Sequence, residues 1–177
     1  MRRFLDRLYA ASGALAALSL LGIFVVMMAQ SLGREAGVLV RGADDIVAWL
    51  CAATSFLALG HTFRHGELVR VGLWLDMLGA AGRRRAELFA LGVTTAFVAY
   101  MLWAVVSFVY KSWQFKEVAQ GLIALPIWIP QLSFVVGAVI FLVAVLDELI
   151  AVIRKRKPAY QVSEEQRRAA GDFSETV

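Results

Sequence analysis

The sequence predicts an all-α integral membrane protein: four transmembrane helices, with a short cytoplasmic interfacial helix between the second and third. Three observations carry this expectation. First, Leu8–Leu32, Ile46–Phe63, Leu88–Tyr110 and Val118–Leu146 contain no Asp, Glu, Lys or Arg. Each is long enough, or nearly so, to cross a hydrocarbon layer of about 30 Å as a helix. Lipid offers backbone amides no partners, so apolar runs of this length are helical. Second, 60% of the 177 residues are hydrophobic, 18% are charged and mean hydropathy is +0.68. A soluble domain of this size could not hide so much apolar surface. Third, the positive charge flanks the apolar runs instead of gathering on one face, so the pI near 9.6 reflects membrane topology and not nucleic-acid binding. The spans are expected at about 8–32, 43–63, 86–112 and 127–153, within a membrane domain covering 1–157. The interfacial helix is expected at about 67–79, and a polar cytoplasmic tail at 158–177.

The Lys and Arg distribution orients these spans. Arg2, Arg3, Arg7, Arg64, Arg70, Arg83, Arg84, Arg85, Arg154, Lys155, Arg156, Lys157, Arg167 and Arg168 fall on one side, and only Arg34, Arg41, Lys111 and Lys116 on the other. Cytoplasmic loops carry the excess, which places both termini and the middle loop in the cytoplasm. The N-terminal run resembles a signal sequence, but it is 25 residues long and lacks a convincing small-residue cleavage site. It reads as a retained first helix.

In span one, Ala10, Gly13 or Ala14, and Ala17 form a small-residue stripe. Such a stripe lets helix backbones approach closely, either within the chain or against a partner. Span two opens on Asp44 and Asp45, which complement the helix dipole and invite an ion pair with Arg34 or Arg41. The middle loop places Leu68, Val71, Trp74 or Leu75, and Leu78 at helical spacing. That pattern predicts a helix lying in the interface, with Trp74 as its headgroup-level anchor. Arg83, Arg84 and Arg85 follow as a topology signal that also attracts anionic lipid. Span three carries Tyr100 and Trp103 in its body, with Tyr110 and Trp113 toward its outer end as an aromatic belt. Pro126 and Pro130 bracket Ile127-Trp128-Ile129. Proline suits a helix's first turn and disfavours helix before it. Gly121–Leu125 is therefore expected to be extended or re-entrant, with the fourth helix starting near Ile127–Gln131 and Trp128 at the interface. Asp147 and Glu148, near that helix's cytoplasmic end, are expected to pair with Arg2, Arg3 or the arginine-rich loop.

The middle of every span lacks ionisable residues, which usually mark a proton relay or substrate site in a membrane. No broken mid-membrane helix or matching inverted repeat points to a binding site of the chain's own. The lone Cys51 offers no disulfide or metal set. His61 and His65 are the only histidines, and no zinc, phosphate-loop or nucleophile motif accompanies them. The chain reads as an accessory subunit and not an enzyme.

The motif order resembles a known family. A basic N-terminus leads to a first span ending near Arg34, and an acidic pair opens span two. Leu-Gly-His-x-x-Arg-His-Gly closes that span, Leu-Trp-Leu-Asp-Met-Leu follows in the interface, and Leu-Pro-Ile-Trp-Ile-Pro-Gln-Leu with Gly137 comes last. Over residues 1–157 this is similar to the small, DctQ-like membrane subunit of tripartite ATP-independent periplasmic (TRAP) transporters. Family members often carry glutamates where Asp44 and Asp45 stand, and a His and an Asp where Leu68 and Gly72 align.

The resemblance implies a multi-pass subunit of the bacterial inner membrane. A large membrane subunit carries the substrate and Na+ sites and moves as an elevator. A periplasmic binding protein delivers the substrate, commonly an organic acid, and the small subunit extends the static scaffold with no cofactor of its own. Arg34, Asp44 and Asp45 are the expected partner contacts on the outward face. Trp74, Arg83, Arg84, Arg85, Trp113 and Trp128 are the expected interface anchors. Two other readings are a membrane anchor of a redox enzyme, with His61 or His65 near a quinone or haem, and a stand-alone small transporter.

Overall fold

A computed structural model describes residues 2–65 and 80–154. The interfacial helix expected at 67–79 with Trp74, and the tail at 158–177, lie outside the described residues. The described residues form four helices: α1 (Arg2–Glu35), α2 (Ala43–His65), α3 (Ala80–Gln114) and α4 (Trp128–Ile153). Each contains a stretch long and apolar enough to cross a membrane. The helices α2 and α4 start and stop within two residues of the expected spans. The helices α1 and α3 begin six residues early. Arg, Leu and Ala are good helix formers, so the helix continues past the apolar run that signals it.

Local chemistry sets the ends. After α1, Gly37 adopts φ +73°, the left-handed conformation that glycine takes without a Cβ penalty. Its N–H donates to the Arg34 carbonyl at 3.2 Å, and the Val38 N–H donates to Gly33 at 2.7 Å. This paired pattern satisfies carbonyls that the helix end would otherwise leave open. The start of α4 places Pro130 in the first turn, where a missing N–H costs nothing because the first amides have no intrahelical acceptor.

The helices stand in an open row, in the order α1, α2, α4, α3. The helix α2 packs on α1 and α4, and α4 packs on α2 and α3, while α1 meets α4 only briefly. Close backbone approach fixes the α2–α4 contact. A Cβ at Gly137 would run into the Phe56 carbonyl, and one at Gly60 would meet the Ile140 side chain. Phe56 stacks on Phe134 beside this crossing, with ring centroids 4.9 Å apart. In lipid, helix association depends on such packing because water is not there to drive it.

Between α1 and α2, Gly13 lies directly under the His61 ring, and the buried Ser12 hydroxyl donates to the Leu57 carbonyl. The buried line of α1 is Tyr9, Ser12 and Ala16, whereas Ala10, Ala14 and Ala17 are exposed. Of the expected small-residue stripe, only Gly13 serves internal packing. The apolar core sits toward the end of the row that holds the start of α1 and the end of α4. It comprises Tyr9, Phe63, Leu91, Val98, Ile140, Ala144, Val145 and Val152.

Candidate functional site

Polar side chains gather at the two ends of the row. At one end, α3 passes through a tight hairpin into α4. Val118 and Pro126 face each other across an antiparallel bridge. The Ala119 N–H donates to Leu125 at 2.9 Å, and the Ile127 N–H donates to Glu117 at 3.1 Å. The expected extended or re-entrant stretch at Gly121–Leu125 is the tip of this hairpin. Lys116, at its start, has φ +50°.

Asp45 ties the hairpin to α2. Its Oδ2 accepts the amides of Leu122 at 2.8 Å and Ile123 at 3.3 Å. The contact depends on Gly121, where a Cβ would collide with the carboxylate. Asp44 instead accepts the Gln30 amide at 3.2 Å. Neither aspartate is ion-paired among the described residues, which corrects the expected bridge to Arg34 or Arg41. The reason is proximity: backbone N–H groups of the hairpin tip converge on Asp45, and Gln30 on the neighbouring helix reaches Asp44. Arg34, Arg41 and Asp44 are exposed, while Asp45 is half-buried. Trp113 is exposed near the end of α3, and Trp128 is half-buried at the first residue of α4. Both stand at the hairpin end.

At the opposite end, Arg64 in the last turn of α2 joins three helices. Its guanidinium donates to Asp6 of α1 at 2.7 Å and to Asp147 of α4 at 2.8 Å, and lies 4.0 Å from the buried Glu148. It also sits over the Tyr9 ring, 5.3 Å from the centroid. Asp147 and Glu148 therefore meet Arg64, at the head of the arginine-rich segment between spans two and three, because the end of α2 lies between α1 and α4. The planar fork of arginine suits this role, since two N–H edges can serve carboxylates on different helices. Simple antiparallel pairing of spans one and two already brings Asp6 and Arg64 together. That signal in the sequence was available, and Arg64 was missed as a site residue. Beside this clamp, His61 Nδ1 donates to the Tyr9 carbonyl at 3.2 Å. Arg83, Arg84 and Arg85 lie in the first turns of α3, with the Arg85 side chain exposed.

These groups hold helices and a hairpin in place. Among the described residues, no group of three or more His, Cys, Asp or Glu could hold a metal ion.

Four apolar helices with their polar clusters at the two ends define a multi-pass membrane protein. The sequence model of the tripartite ATP-independent periplasmic transporters, DctQ component, matches residues 23–155 of the 177. The chain belongs to this family, the small permease component of TRAP transporters. No curated protein matches the chain.

Proposed function

We propose that this chain packs on the large membrane subunit of a TRAP-type secondary transporter and extends its static scaffold. The complex would take up an organic acid, delivered by a periplasmic binding protein and driven by Na+ bound in the large subunit. The observation that carries this reading is the family match over residues 23–155. The charge pattern supports it. Charged residues stand at the ends of the row and are missing from its middle, as suits a scaffold and not a carrier of charge across lipid. The Lys and Arg asymmetry supports placement in a bacterial inner membrane with both termini cytoplasmic. The hairpin and the α1–α2 turn then face the periplasm, where the exposed Arg34 and Asp44 are positioned to meet the large subunit or the binding protein. Asp45 contributes indirectly, through the hairpin that it holds. A redox-anchor reading gains no support from the match.

The test is isolation of the C-terminally tagged chain from its native membrane in mild detergent, with the co-purifying proteins identified by mass. A stoichiometric, much larger polytopic membrane protein supports the reading. A haem- or flavin-bearing partner, or recovery of the chain alone after chemical cross-linking, overturns it.

A further inference from the structure

The two outer edges of the helix row differ in chemistry. At the α1 edge the exposed side chains through the span are Leu15, Leu18, Leu21, Phe24, Val25 and Met28. All are apolar to their tips and suit lipid acyl chains. The one hydroxyl nearby, Ser19, donates to the Leu15 carbonyl within its own helix at 2.9 Å.

At the α3 edge, Tyr100 is 65% exposed and Trp103 is 64% exposed. The apolar stretch of α3 runs from Arg85 to Gln114, so Tyr100 lies about 22 Å from either end at 1.5 Å per residue. It therefore sits near the bilayer midplane, and Trp103 sits about one turn further along. Tyr and Trp belong at the wet edges of a membrane, where the polar tip finds water, as Tyr110 and Trp113 do in the same helix. At the midplane a phenol O–H or an indole N–H needs a protein acceptor, since hydrocarbon supplies none.

Among the described residues, no hydrogen bond to either group is found. The described contact of both side chains is with each other, rings tilted and centroids 5.8 Å apart. The side of α3 that meets α4 carries Leu91, Val98 and Val109, and Tyr100 points roughly 160° away from Val98 at 100° per residue. Two hydroxyls of α3 are used locally: Thr94 and Thr95 donate to Ala90 and Leu91 of their own helix.

Resting on the reading under Proposed function, we infer that the α3 edge marked by Phe97, Tyr100 and Trp103 is the face on which the large membrane subunit packs. The contacting segment is a transmembrane helix that presents hydrogen-bond acceptors, from Ser, Thr, Asn or Gln side chains or an exposed carbonyl, near the midplane. The α1 edge faces lipid.

The experiment uses the complete transporter in its native membrane. The photoreactive residue benzoylphenylalanine replaces Phe97 in one sample and Phe24 in another. After illumination, an adduct of this chain with the large subunit from position 97 and not from position 24 supports the assignment. Adducts from 24 alone, or adducts from 97 with only lipid or a second copy of this chain, overturn it. A Tyr100→Phe, Trp103→Phe double variant, which keeps an aromatic ring at each position and loses both donors, should lower co-purification of the large subunit by about tenfold, given the strength of interhelical hydrogen bonds in lipid. Unchanged co-purification overturns the role of the two donors. If the wild-type chain brings down no large subunit, the transporter reading fails. If it does, and the adducts arise from the α1 edge, only the face assignment fails.

Discussion

The Asp45 carboxylate on α2 accepts the Leu122 amide at 2.8 Å, across 77 residues of sequence. The hairpin tip is thereby held against a helix start. Asp45→Ala removes the acceptor of two amides. At a partly solvated site this should cost about 1–2 kcal/mol and loosen the hairpin more than the helices. Tryptic cleavage after Lys116 should quicken several-fold in the variant while the apolar spans stay protected. Cleavage at the wild-type rate would show that the hairpin does not depend on Asp45.

Arg64 offsets carboxylates on two other helices, one of them the buried Glu148. Taking away one member of a buried ion pair leaves a charge uncompensated. Asp6 is 55% exposed and contributes little, so most of the effect comes from Asp147 and Glu148. Arg64→Ala should cost on the order of 2–4 kcal/mol and lower the thermal midpoint in detergent by about 5–10 °C. Adding Glu148→Gln should recover part of the loss, because the buried carboxylate beside the missing guanidinium is then neutral. A midpoint unchanged by Arg64→Ala would remove the clamp from the account of stability.

At Gly137 the α4 backbone passes against Phe56 of α2 with no space for a side chain. Gly137→Val should push the helices apart and cost about 1–3 kcal/mol through overpacking. Cross-linking between cysteines placed at Phe56 and Phe134, whose rings stack in the native row, should fall in that background. Undiminished cross-linking would mean that the crossing tolerates the extra volume.

Asp44 is exposed and, among the described residues, accepts only the Gln30 amide, at 3.2 Å. Asp44→Lys should leave the thermal midpoint within about 2 °C, as surface changes do. On the scaffold reading it should still lower solute uptake by the assembled transporter. Full uptake in this variant would take Asp44 out of the partner contacts.

The helices were legible in the sequence because lipid leaves no choice: an uncharged run of sufficient length must be helical. Their boundaries were less so, since the extra turns at Arg2–Arg7 and Ala80–Arg85 depend on helix propensity beyond the apolar run. Pro126 and Pro130 announced the start of α4 correctly, because proline acts locally. The partner of Asp45 was misread for the opposite reason. It lies in the hairpin before α4, and charge complementarity alone pointed to the nearest arginines in sequence. Only the order of helices in the row reveals that backbone amides reach Asp45 and that, within the arginine-rich segment, Arg64 reaches Asp147 and Glu148. The stripe of small residues in α1 shows the same limit. Sequence spacing identifies a smooth ridge, but it was the neighbouring His61 that selected Gly13 and left Ala10, Ala14 and Ala17 outside.

Helices standing in file share an interior only toward one end of the row. In a closed bundle, a polar residue introduced at mid-span can turn inward and find a companion. Here many mid-span side chains of α1 and α3 point out of the chain, among them Leu18, Leu21, Phe24, Phe97, Tyr100 and Trp103. A charge at such a position would have no shelter inside the chain. That intolerance gives a structural reason for the four uncharged stretches of the sequence, and it predicts that tolerated mid-span substitutions will cluster wherever another protein, and not hydrocarbon, supplies the other wall.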